Sequence, residues 1–337
     1  MRPSGRIFFA TEAQKAQKKA GREGQRLVII KAGSKRVFYF ICCLGLQLII
    51  CSVVYSFFFC AFCASVAKKV PQALPKKSFI CSSMSLYITS LNSGSNGNCY
   101  YVGNETDAIF IDAGISCRET EKRMRRLNLS MDKVRAIFIS HEHTDHIKGV
   151  AVLAKKYRLP VYITATTLQY AGLLLNDHVV MPLHGNSVIN VGDLVVTAFP
   201  KLHDAADPHS FMISYNNINI GVFTDIGFPC EQLIHHFQQC HAAFLETNYD
   251  EEMLEKGRYP YFLKNRIRGG KGHLSNAQAL QVFKDHRPSF MSHLLLSHLS
   301  KDNNNPELVQ NLFTQHANGT EIIVASRFGE TAVYCVA

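Results

Sequence analysis

The chain has 337 residues, which exceeds an average domain but is still within the size of one large α/β domain. Its charge is unevenly distributed: residues 1–83 hold 14 Lys and Arg against 2 Asp and Glu, so residues 84–337 hold 22 against 24. Because this larger part is nearly neutral, the composition excludes a protein that holds nucleic acid mainly by overall positive charge, although a local basic patch is compatible with it.

The histidines and cysteines are distributed unevenly as well. All 15 His but only 5 of the 11 Cys lie in residues 84–337. An odd number of cysteines at irregular spacings predicts no disulfide framework, and we expect unpaired thiols in a reducing compartment.

Residues 1–83 form a leader with a composition of its own. A basic stretch ends at Arg36, a run of 31 uncharged residues follows at 37–67, and a Lys- and Pro-rich link extends to Ser83. The run exceeds the roughly 20 residues that a membrane helix needs, and the positive-inside rule would then place the rest of the chain outside the cytoplasm. The alternative, which we favour, is that the natural start is Met84 and that the leader is upstream sequence.

We therefore expect two segments, the leader at 1–83 and one folded domain at 84–337, in a cytoplasmic protein. Membrane anchoring through 37–67 is the alternative, and only in that case is the membrane a partner. The sequence does not indicate an oligomeric state.

From Met84 onward, short β-rich runs alternate with helical patterns. Strands are predicted at 86–91, 99–102, 108–111, 136–140, 161–164, 194–199, 210–214, 218–223, 243–246, 293–297, 321–325 and 331–335. Helices are predicted at 118–127, 147–157, 230–239, 276–286 and 306–315. The clearest hairpin joins 210–214 to 218–223 through Tyr215, Asn216 and Asn217, since Asn tolerates the positive φ of such turns. The pattern excludes a purely parallel Rossmann sheet and predicts an α/β protein with two mixed sheets faced by outer helices.

A dense group of metal-binding residue types follows the apolar run Ala-Ile-Phe-Ile-Ser. The segment reads His141, Glu142, His143, Thr144, Asp145 and His146. On an extended segment His141 and His143 point the same way, while Asp145 and His146 turn toward a second location where a helix begins. Three imidazoles and one carboxylate suit zinc or manganese, so the segment predicts a site for two divalent metals.

Further His and Asp residues follow predicted strands in the same part of the chain: Asp112, His203, Asp225 and His298. Asp112 precedes the HEHTDH segment, and the other three residues follow it. In this order they resemble the motifs of the metallo-β-lactamase-fold hydrolases, which have a four-layer αββα fold. The resemblance implies the following roles: His141, His143 and His203 bind one metal, Asp145, His146 and His298 bind the other, and Asp225 bridges them. Asp112 and Asp204 are expected to orient these ligands from outside.

A narrower resemblance covers nearly all of residues 84–337. The strings SLNSGSNGNCYYVGN, FISHEHTDHIKGV, KLHDAADP, GVFTDIG, FLETNYDEEML, RIRGGKGHLSNAQAL and LLLSHLSKDNNNPEL are similar to those of the YycJ (WalJ) group of DNA-processing nucleases. The resemblance implies a metal-dependent phosphodiesterase, and specifically a 5′-to-3′ DNA exonuclease.

Two His motifs, at 272–275 and 297–300, also resemble those of ribonuclease Z, the tRNA 3′-end endonuclease of this fold. That resemblance implies that His273, paired with Glu246, protonates the leaving oxygen. The alternative for His273 is a capping role before the helix predicted at 276–286. The chain lacks the long exosite arm of a tRNA-processing enzyme, so DNA is favoured over RNA as the partner.

Several residues are candidates for substrate contact. Arg266, Arg268 and Lys271 could hold the nucleic-acid backbone, although an ordinary solvated loop explains them equally well. The backbone amides of the loop from Ser93 to Asn98 could cradle a phosphate, with Ser95 and Asn98 as the candidate contacts, although such clusters are also common turns. Asn303 and Asn304 either touch substrate or only shape their loop.

The predicted reaction is hydrolysis of a phosphodiester. Water between two cations has its pKa lowered from about 15.7 toward 7, so it can attack phosphorus at neutral pH. Asp145 either accepts its proton or only binds metal. The alternatives are a ribonuclease Z-like RNA nuclease, a cyclic phosphodiesterase, a small-molecule thioester or lactone hydrolase, and a membrane-tethered interaction protein with an inactive site.

The leader generates a first prediction. A chain that begins at Met84 should fold and hydrolyse the same substrates as the full chain, because the leader adds no motif to the rest. Sedimentation and activity of the two chains, compared side by side, check this. Aggregation of the shorter chain, or recovery of the native protein only in membranes, would contradict it.

Overall fold

A computed structural model describes residues 28–32, 35–44, 47–53 and 84–337, and its contacts divide the chain into two units, 1–78 and 79–337. In the first unit β1 (Val28–Ala32), β2 (Lys35–Leu44) and β3 (Gln47–Val53) form an antiparallel sheet in that order. Part of the uncharged run 37–67 lies in β2 and β3, and the rest lies outside the described residues. None of the helices in the described part of the chain is both long and apolar enough to cross a bilayer.

The second unit contains two seven-stranded sheets. The strands of one are β4 (Leu86–Asn92), β5 (Cys99–Gly103), β6 (Ala108–Ile111), β7 (Val134–Phe138), β8 (Val161–Thr164), β9 (Val180–Leu183) and β17 (Tyr334–Val336). Those of the other are β10 (Val188–Val191), β11 (Leu194–Pro200), β12 (His209–Tyr215), β13 (Ile218–Phe223), β14 (Ala242–Glu246), β15 (His293–Ser297) and β16 (Glu321–Val324). The sheet orders are β17-β4-β5-β6-β7-β8-β9 and β10-β11-β12-β13-β14-β15-β16, and each begins with antiparallel pairs and ends with parallel ones.

The helices of residues 84–337 are α1 (Cys117–Arg126), α2 (Thr144–Ile147), α3 (Val150–Tyr157), α4 (Ala165–Ala171), α5 (Glu231–Phe237), α6 (Glu251–Lys256), α7 (Tyr261–Arg268), α8 (Asn276–His286) and α9 (Pro306–Thr314). One buried cluster joins the inner faces of the two sheets, with Tyr100 and Phe138 from one sheet and Phe211 and Phe244 from the other. Separate clusters lie under α1 and α3 and under α5, α8 and α9. The protein therefore has the four-layer αββα architecture, and this confirms the predicted fold class.

The predicted strands and helices are confirmed to within three residues at their ends, but strands β9 and β10 and helices α4, α6 and α7 were not predicted. The hairpin forms as expected, since β12 and β13 pair antiparallel and Asn216 and Asn217 have φ of 47° and 65°. The helix predicted at 147–157 is instead divided into α2 and α3. Gly149 lies at the break, where a Cβ would be 2.0 Å from the carbonyl oxygen of Ile115. The backbone at Ile115 packs against Gly149, and this close approach interrupts the helix. The helical pattern of the sequence does not encode such a contact.

The cysteines differ from expectation at one position. Cys99, Cys117, Cys230 and Cys240 are free thiols, whereas Cys335 is disulfide-bonded. The expectation of unpaired thiols is therefore wrong at Cys335, because spacing along the sequence does not show which side chains meet in the fold.

Gly114 lets two backbone segments of the site approach each other. The amide of Ala113 donates to the carbonyl of His146 at 2.8 Å, and the amide of Asn98 donates to the carbonyl of Asp145 at 2.7 Å. A Cβ on Gly114 would lie 1.6 Å from that Asp145 oxygen. Backbone cannot yield as a flexible side chain does, so only glycine fits at this position.

This contact predicts that Gly114→Ala displaces the HEHTDH segment. We expect a loss of stability of about 3 kcal/mol or more, at or beyond the upper end for overpacking, together with weaker metal binding. Gly329→Ala is the matched control, since a Cβ there meets nothing within 4 Å. Denaturant unfolding and metal titration check the pair, and a Gly114→Ala protein as stable as Gly329→Ala would contradict the argument.

Candidate active site

The polar side chains that follow the strands meet at one edge of the two sheets. Asp112 follows β6, His141 follows β7, Asp225 follows β13 and His298 follows β15. Asp225 and His298 line a pocket of about 460 Å³, and Asp112 and His141 are fully buried. Its lining residues are Ser95, His143, Thr144, Asp145, Asp204, Asp225, Asn248, Tyr259, Leu263, Arg266, Ile267, Gly272, His273, His298 and Ser300.

Three of these strand-end residues have an unusual backbone. Asp112, Asp225 and His298 have φ of 60°, 55° and 57°, the left-handed region that residues other than glycine seldom adopt. A left-handed backbone conformation costs about 1–3 kcal/mol at each of these residues, and such conformations persist where the surrounding structure holds them in place. The left-handed turn ends the extended backbone at each of these residues, whose side chains contact the ligand groups of the site.

One group of imidazoles has its ring nitrogens turned toward a common point. Nε2 of His141 lies 3.0 Å from Nδ1 of His143, and Nε2 of His203 lies 3.4 Å from the same Nδ1. The three nitrogens lie within 4.8 Å of one another, so a single metal ion could contact all of them. His141 and His203 are buried, and His143 opens to the pocket.

A second group lies beside the first. Nε2 of His298 is 3.5 Å from Oδ2 of Asp145, and Nε2 of His146 is 3.6 Å from the same oxygen. Asp225 lies between the two groups: its Oδ1 is 3.8 Å from Nε2 of His203 and 3.5 Å from Nε2 of His298. The structure thus brings together all seven residues that the sequence suggested as ligands.

Each buried imidazole is held from behind through its other nitrogen. Nδ1 of His146 lies 2.6 Å from Oδ2 of Asp112, whose Oδ1 accepts from the amide of Ser140 at 2.8 Å. Nδ1 of His141 lies 2.8 Å from Oγ of Ser140, and Nδ1 of His203 lies 3.0 Å from the Gly272 carbonyl. These contacts leave the metal-facing nitrogen of each ring free to accept an ion.

Asp204 occupies a different place from Asp112. Its Oδ1 lies 3.4 Å from Nε2 of His203, the nitrogen that faces the site, and its Oδ2 pairs with Nε of Arg266 at 2.5 Å. Asp204 lines the pocket and does not contact the outer nitrogen of a histidine.

Glu246 is fully buried and contacts both His273 and His298. Its Oε1 lies 2.7 Å from Nδ1 of His273 and 3.1 Å from Nδ1 of His298. Its Oε2 accepts from the amide of Ile226, the residue after Asp225. With Nδ1 engaged by Glu246, Nε2 is the nitrogen of His273 that is left for the pocket.

Burial and neighbouring charges shift the pKa values of the site. Burial lowers the pKa of His141 well below its ordinary value and lowers the pKa of His203 to about 4. Burial also acts to lower the pKa of His146, but the carboxylates of Asp225, Asp112 and Asp145 outweigh it and raise the pKa to about 10. His141 and His203 are therefore neutral at pH 7, which is the form of imidazole that binds metal, whereas His146 must release a proton to do so.

Glu246 is held ionised. Burial acts to raise its pKa, but His273 beside it outweighs that effect and lowers the pKa to about 2. Burial acts to lower the pKa of His298, but the charge of Asp225 and the contacts with Asp145 and Glu246 outweigh it and raise that pKa well above its ordinary value.

The candidates for substrate contact are placed in different ways. Ser95 lines the pocket, and Asn98 is buried with its Nδ2 3.2 Å from Oδ2 of Asp145. Arg268 pairs with Glu255 and Lys271 is exposed, and neither lines the pocket.

Asn303 and Asn304 are both buried away from the pocket. Nδ2 of Asn304 donates to the carbonyl of Thr247 and to Oδ1 of Asn276, and Nδ2 of Asn303 donates to Oγ of Ser300. This placement corresponds to the loop-shaping alternative and not to contact with substrate.

Two residues of the site escaped the sequence analysis. Asn248 lies 3.2 Å from Nδ1 of His298, and its position two residues after Glu246 in the string FLETN is the signal that could have found it. Lys201 is buried and donates to the carbonyl of Thr224 at 2.7 Å. Nothing in its sequence distinguishes it from a surface lysine.

The donor set fits two divalent metals. Oδ2 of Asp225 is buried and accepts no hydrogen bond, although Nε2 of His146 lies 3.2 Å from it. A buried carboxylate oxygen without a hydrogen bond is costly. A cation at that oxygen would remove the cost. Neutral imidazole nitrogens with a few carboxylate oxygens are ligands that suit zinc and manganese.

Comparison with known proteins agrees with this architecture. Residues 107–298 match the family model described as the β-lactamase superfamily domain. The chain is 36% identical over 233 residues to the exodeoxyribonuclease YycJ of Bacillus anthracis, covering 67% of this chain and 87% of that protein. It is 31% identical over 224 residues to the exodeoxyribonuclease WalJ of Streptococcus pneumoniae, covering 65% of this chain and 83% of that protein.

Solved structures share the fold at low identity. The metallo-β-lactamase fold protein YhfI of Bacillus subtilis superposes with a TM-score of 0.59 at 15% identity, covering 74% of this chain and 99% of that one. The short form of human tRNase Z superposes with a TM-score of 0.52 at 16% identity, covering 74% and 99%. At this identity the likeness concerns the fold alone.

Proposed function

Because the chain belongs to the β-lactamase superfamily and to its YycJ and WalJ group, and is therefore a metal-dependent hydrolase, we propose that it is a DNA exonuclease with two metal ions. The exodeoxyribonuclease relatives support DNA over RNA as substrate, and 5′-to-3′ polarity is the finer part of the proposal. The observation that carries it is the convergence of both ligand groups and of His273 on one pocket.

His141, His143 and His203 would hold one divalent ion, Asp145, His146 and His298 the other, and Asp225 would lie between them. When bound, two such ions lower the pKa of water and neutralise charge on phosphate oxygens, which are the two needs of phosphodiester hydrolysis. Zinc and manganese both suit these donors. Asp112 then acts as a positioning residue, because it fixes the ring of His146 at 2.6 Å.

His273 is the residue of the pocket that can supply a proton. The 2.7 Å contact of its Nδ1 with Glu246 orients the ring, so that Nε2 would deliver a proton to the oxygen that departs from phosphorus. A nucleoside alkoxide is a poor leaving group, so protonation at this atom is required in DNA cleavage. A thiolate leaves without a proton, so a thioesterase would have no use for the pair.

A panel of substrates tests the reaction class. The protein should hydrolyse bis(p-nitrophenyl) phosphate and linear DNA, and it should leave a thioester and a lactone unchanged. Cyclic nucleotides and RNA belong in the same panel, since those substrates would also use the His273 and Glu246 pair. Preference for thioester or lactone would overturn the proposal, and DNA labelled separately at each end reports the polarity.

The bridging position of Asp225 predicts that its removal is not tolerated. The protein should bind two divalent ions per chain. Asp225→Ala should abolish hydrolysis with the fold largely intact, because two cations would then face each other without a carboxylate between them. His143→Ala, which removes a proposed ligand, should abolish hydrolysis as well. Metal analysis, circular dichroism and hydrolysis of bis(p-nitrophenyl) phosphate measure this.

The control for that series is Asp285→Ala, which removes an exposed carboxylate that contacts Gln281. It should retain both metals and full activity. Full activity in Asp225→Ala would exclude the bridging assignment.

The position of His273 predicts a dependence on the leaving group. His273→Ala should keep both metals and lose on the order of 10²–10⁴ in rate on DNA, yet retain most activity toward bis(p-nitrophenyl) phosphate, whose leaving group needs no proton. Glu246→Gln should show the same pattern more weakly, and its metal content must be measured because Glu246 also contacts His298.

His235→Ala, an exposed histidine of α5, is the matched control and should change neither rate. Equal losses on the two substrates, or loss of one metal from His273→Ala, would show that His273 binds substrate or coordinates metal instead.

A further inference from the structure

Arg327 packs beside the loop 94–96, which reaches the pocket through Ser95, and its guanidinium has no carboxylate partner among the described residues. Among the residues that the structure describes, no Asp or Glu lies within ion-pair distance of it, and its Nη1 is buried with no hydrogen-bond acceptor. A buried guanidinium N–H without an acceptor is costly, because a charged donor loses its hydration without replacement. The residue is therefore short of an anion.

Two contacts place Arg327 against the wall of the pocket. Its Cβ is 3.2 Å from the position that a Cβ on Gly94 would take, and its carbonyl accepts from Nδ2 of Asn96 at 2.8 Å. Ser95, between these two residues, lines the pocket. Tyr259 also lines the pocket. Burial and the hydrogen bond to Asp302 raise the pKa of Tyr259, and the charge of Arg327 acts to lower it.

The other arginines near the pocket are already neutralised. Nε of Arg266 pairs with Asp204 at 2.5 Å, and Nη1 of Arg268 pairs with Glu255 at 3.0 Å. Arg327 differs from both because its charge is not offset by an acidic side chain of the described residues. It is thus the arginine at this pocket whose partner is expected to come from outside the protein.

Further donors lie in the loop on which Arg327 packs. The backbone amides of Ser95 and Asn96 donate to no acceptor among the described residues, whereas the amides of Ser93, Gly94, Gly97 and Asn98 all do. Consecutive backbone amides without acceptors, together with a guanidinium, are donors from which the oxygens of an anion such as phosphate accept. The same loop reaches the proposed metal site through Asn98, whose Nδ2 lies 3.0 Å from Nε2 of His146.

We propose that Arg327, with the amides of Ser95 and Asn96, binds a phosphate of the substrate strand adjacent to the one that is cleaved. This inference rests on the proposed nuclease function and adds a subsite to it. The phosphate is either the terminal phosphate monoester of the strand or an internal diester, and both offer the oxygens that a guanidinium fork recognises.

The experiment uses the full chain with its metals and compares Arg327→Gln and Arg327→Lys with the unmodified protein. The substrates are DNA with a 5′-phosphate, the same DNA with a 5′-hydroxyl, and bis(p-nitrophenyl) phosphate, which has no adjacent phosphate. We expect Arg327→Gln to lower kcat/KM on DNA by roughly 10- to 100-fold, mainly through KM, as for loss of one charge-assisted hydrogen bond. Arg327→Lys should lower kcat/KM on DNA by less, since lysine keeps the positive charge but lacks the paired N–H donors of the guanidinium.

Arg135→Gln is the matched control, since it also removes one surface arginine. Arg135 pairs with Asp107 at 2.6 Å at the start of β7, the end of that strand opposite His141. This variant should leave all three rates unchanged. Thermal unfolding of each variant checks the fold, and Arg327→Lys keeps the test informative if Arg327→Gln is destabilised.

The outcomes separate the two phosphates. If the terminal phosphate is bound, the loss appears only on 5′-phosphorylated DNA, and removing that phosphate from the substrate mimics the variant. If an internal phosphate is bound, the loss is equal for 5′-phosphorylated and 5′-hydroxyl DNA. A neutral methylphosphonate at one linkage of the substrate then reproduces the loss.

Two results would overturn the site. One is unchanged cleavage of DNA by both Arg327 variants, and the other is an equal loss on bis(p-nitrophenyl) phosphate, which would mean that Arg327 supports the metal site itself. Failure of the unmodified protein to cleave any DNA would instead reject the proposed function, so the two failures are distinct.

Discussion

The arrangement of the site depends on three strands that end in a left-handed residue. Asp112, Asp225 and His298 all have φ near 60°, and none is glycine. A strand that simply continued would carry these side chains beyond the edge of the sheet. The left-handed turn costs about 1–3 kcal/mol at each position, and the network around the site holds it in place. The carbonyl of Phe138 accepts from the amide of Asp112, Glu246 accepts from the amide after Asp225, and Oγ of Ser93 accepts from the amide of His298.

Glu246 links the parts of the site that the proposed reaction must coordinate. The same buried carboxylate contacts the proposed acid His273, the proposed ligand His298 and the turn that carries Asp225. Displacement of any one of them would remove a partner from an ionised, buried carboxylate, and that is unfavourable. The proposed metal ligand and the proposed acid are therefore held in one geometry by a single side chain. This explains why a residue without direct access to the pocket lies at the centre of the site.

Sequence patterns predicted the local features well and the distant ones only through resemblance. Strand periodicity and the dense HEHTDH segment indicated the two mixed sheets and a metal site, because both signals lie within a few consecutive residues. Asp225 and His298 are isolated in the sequence, and only the family motifs marked them. Burial was not visible at all: Asn303 and Asn304 resemble exposed loop residues but are 1% and 5% exposed. Arg327 was missed because an unpaired guanidinium is a property of the folded neighbourhood and not of any local pattern.

The charge distribution constrains how a nucleic acid could be held. Residues 84–337 carry 22 basic against 24 acidic side chains, and the two other arginines near the pocket, Arg266 and Arg268, are paired with Asp204 and Glu255. A surface of this kind attracts DNA weakly over a distance, since affinity for a duplex scales with the number of phosphates neutralised. Binding must then come from a few contacts close to the reacting phosphate. The middle of a duplex presents its phosphates along a broad surface, whereas a strand end can enter a pocket. A few contacts near the reacting phosphate therefore favour a strand end as the substrate.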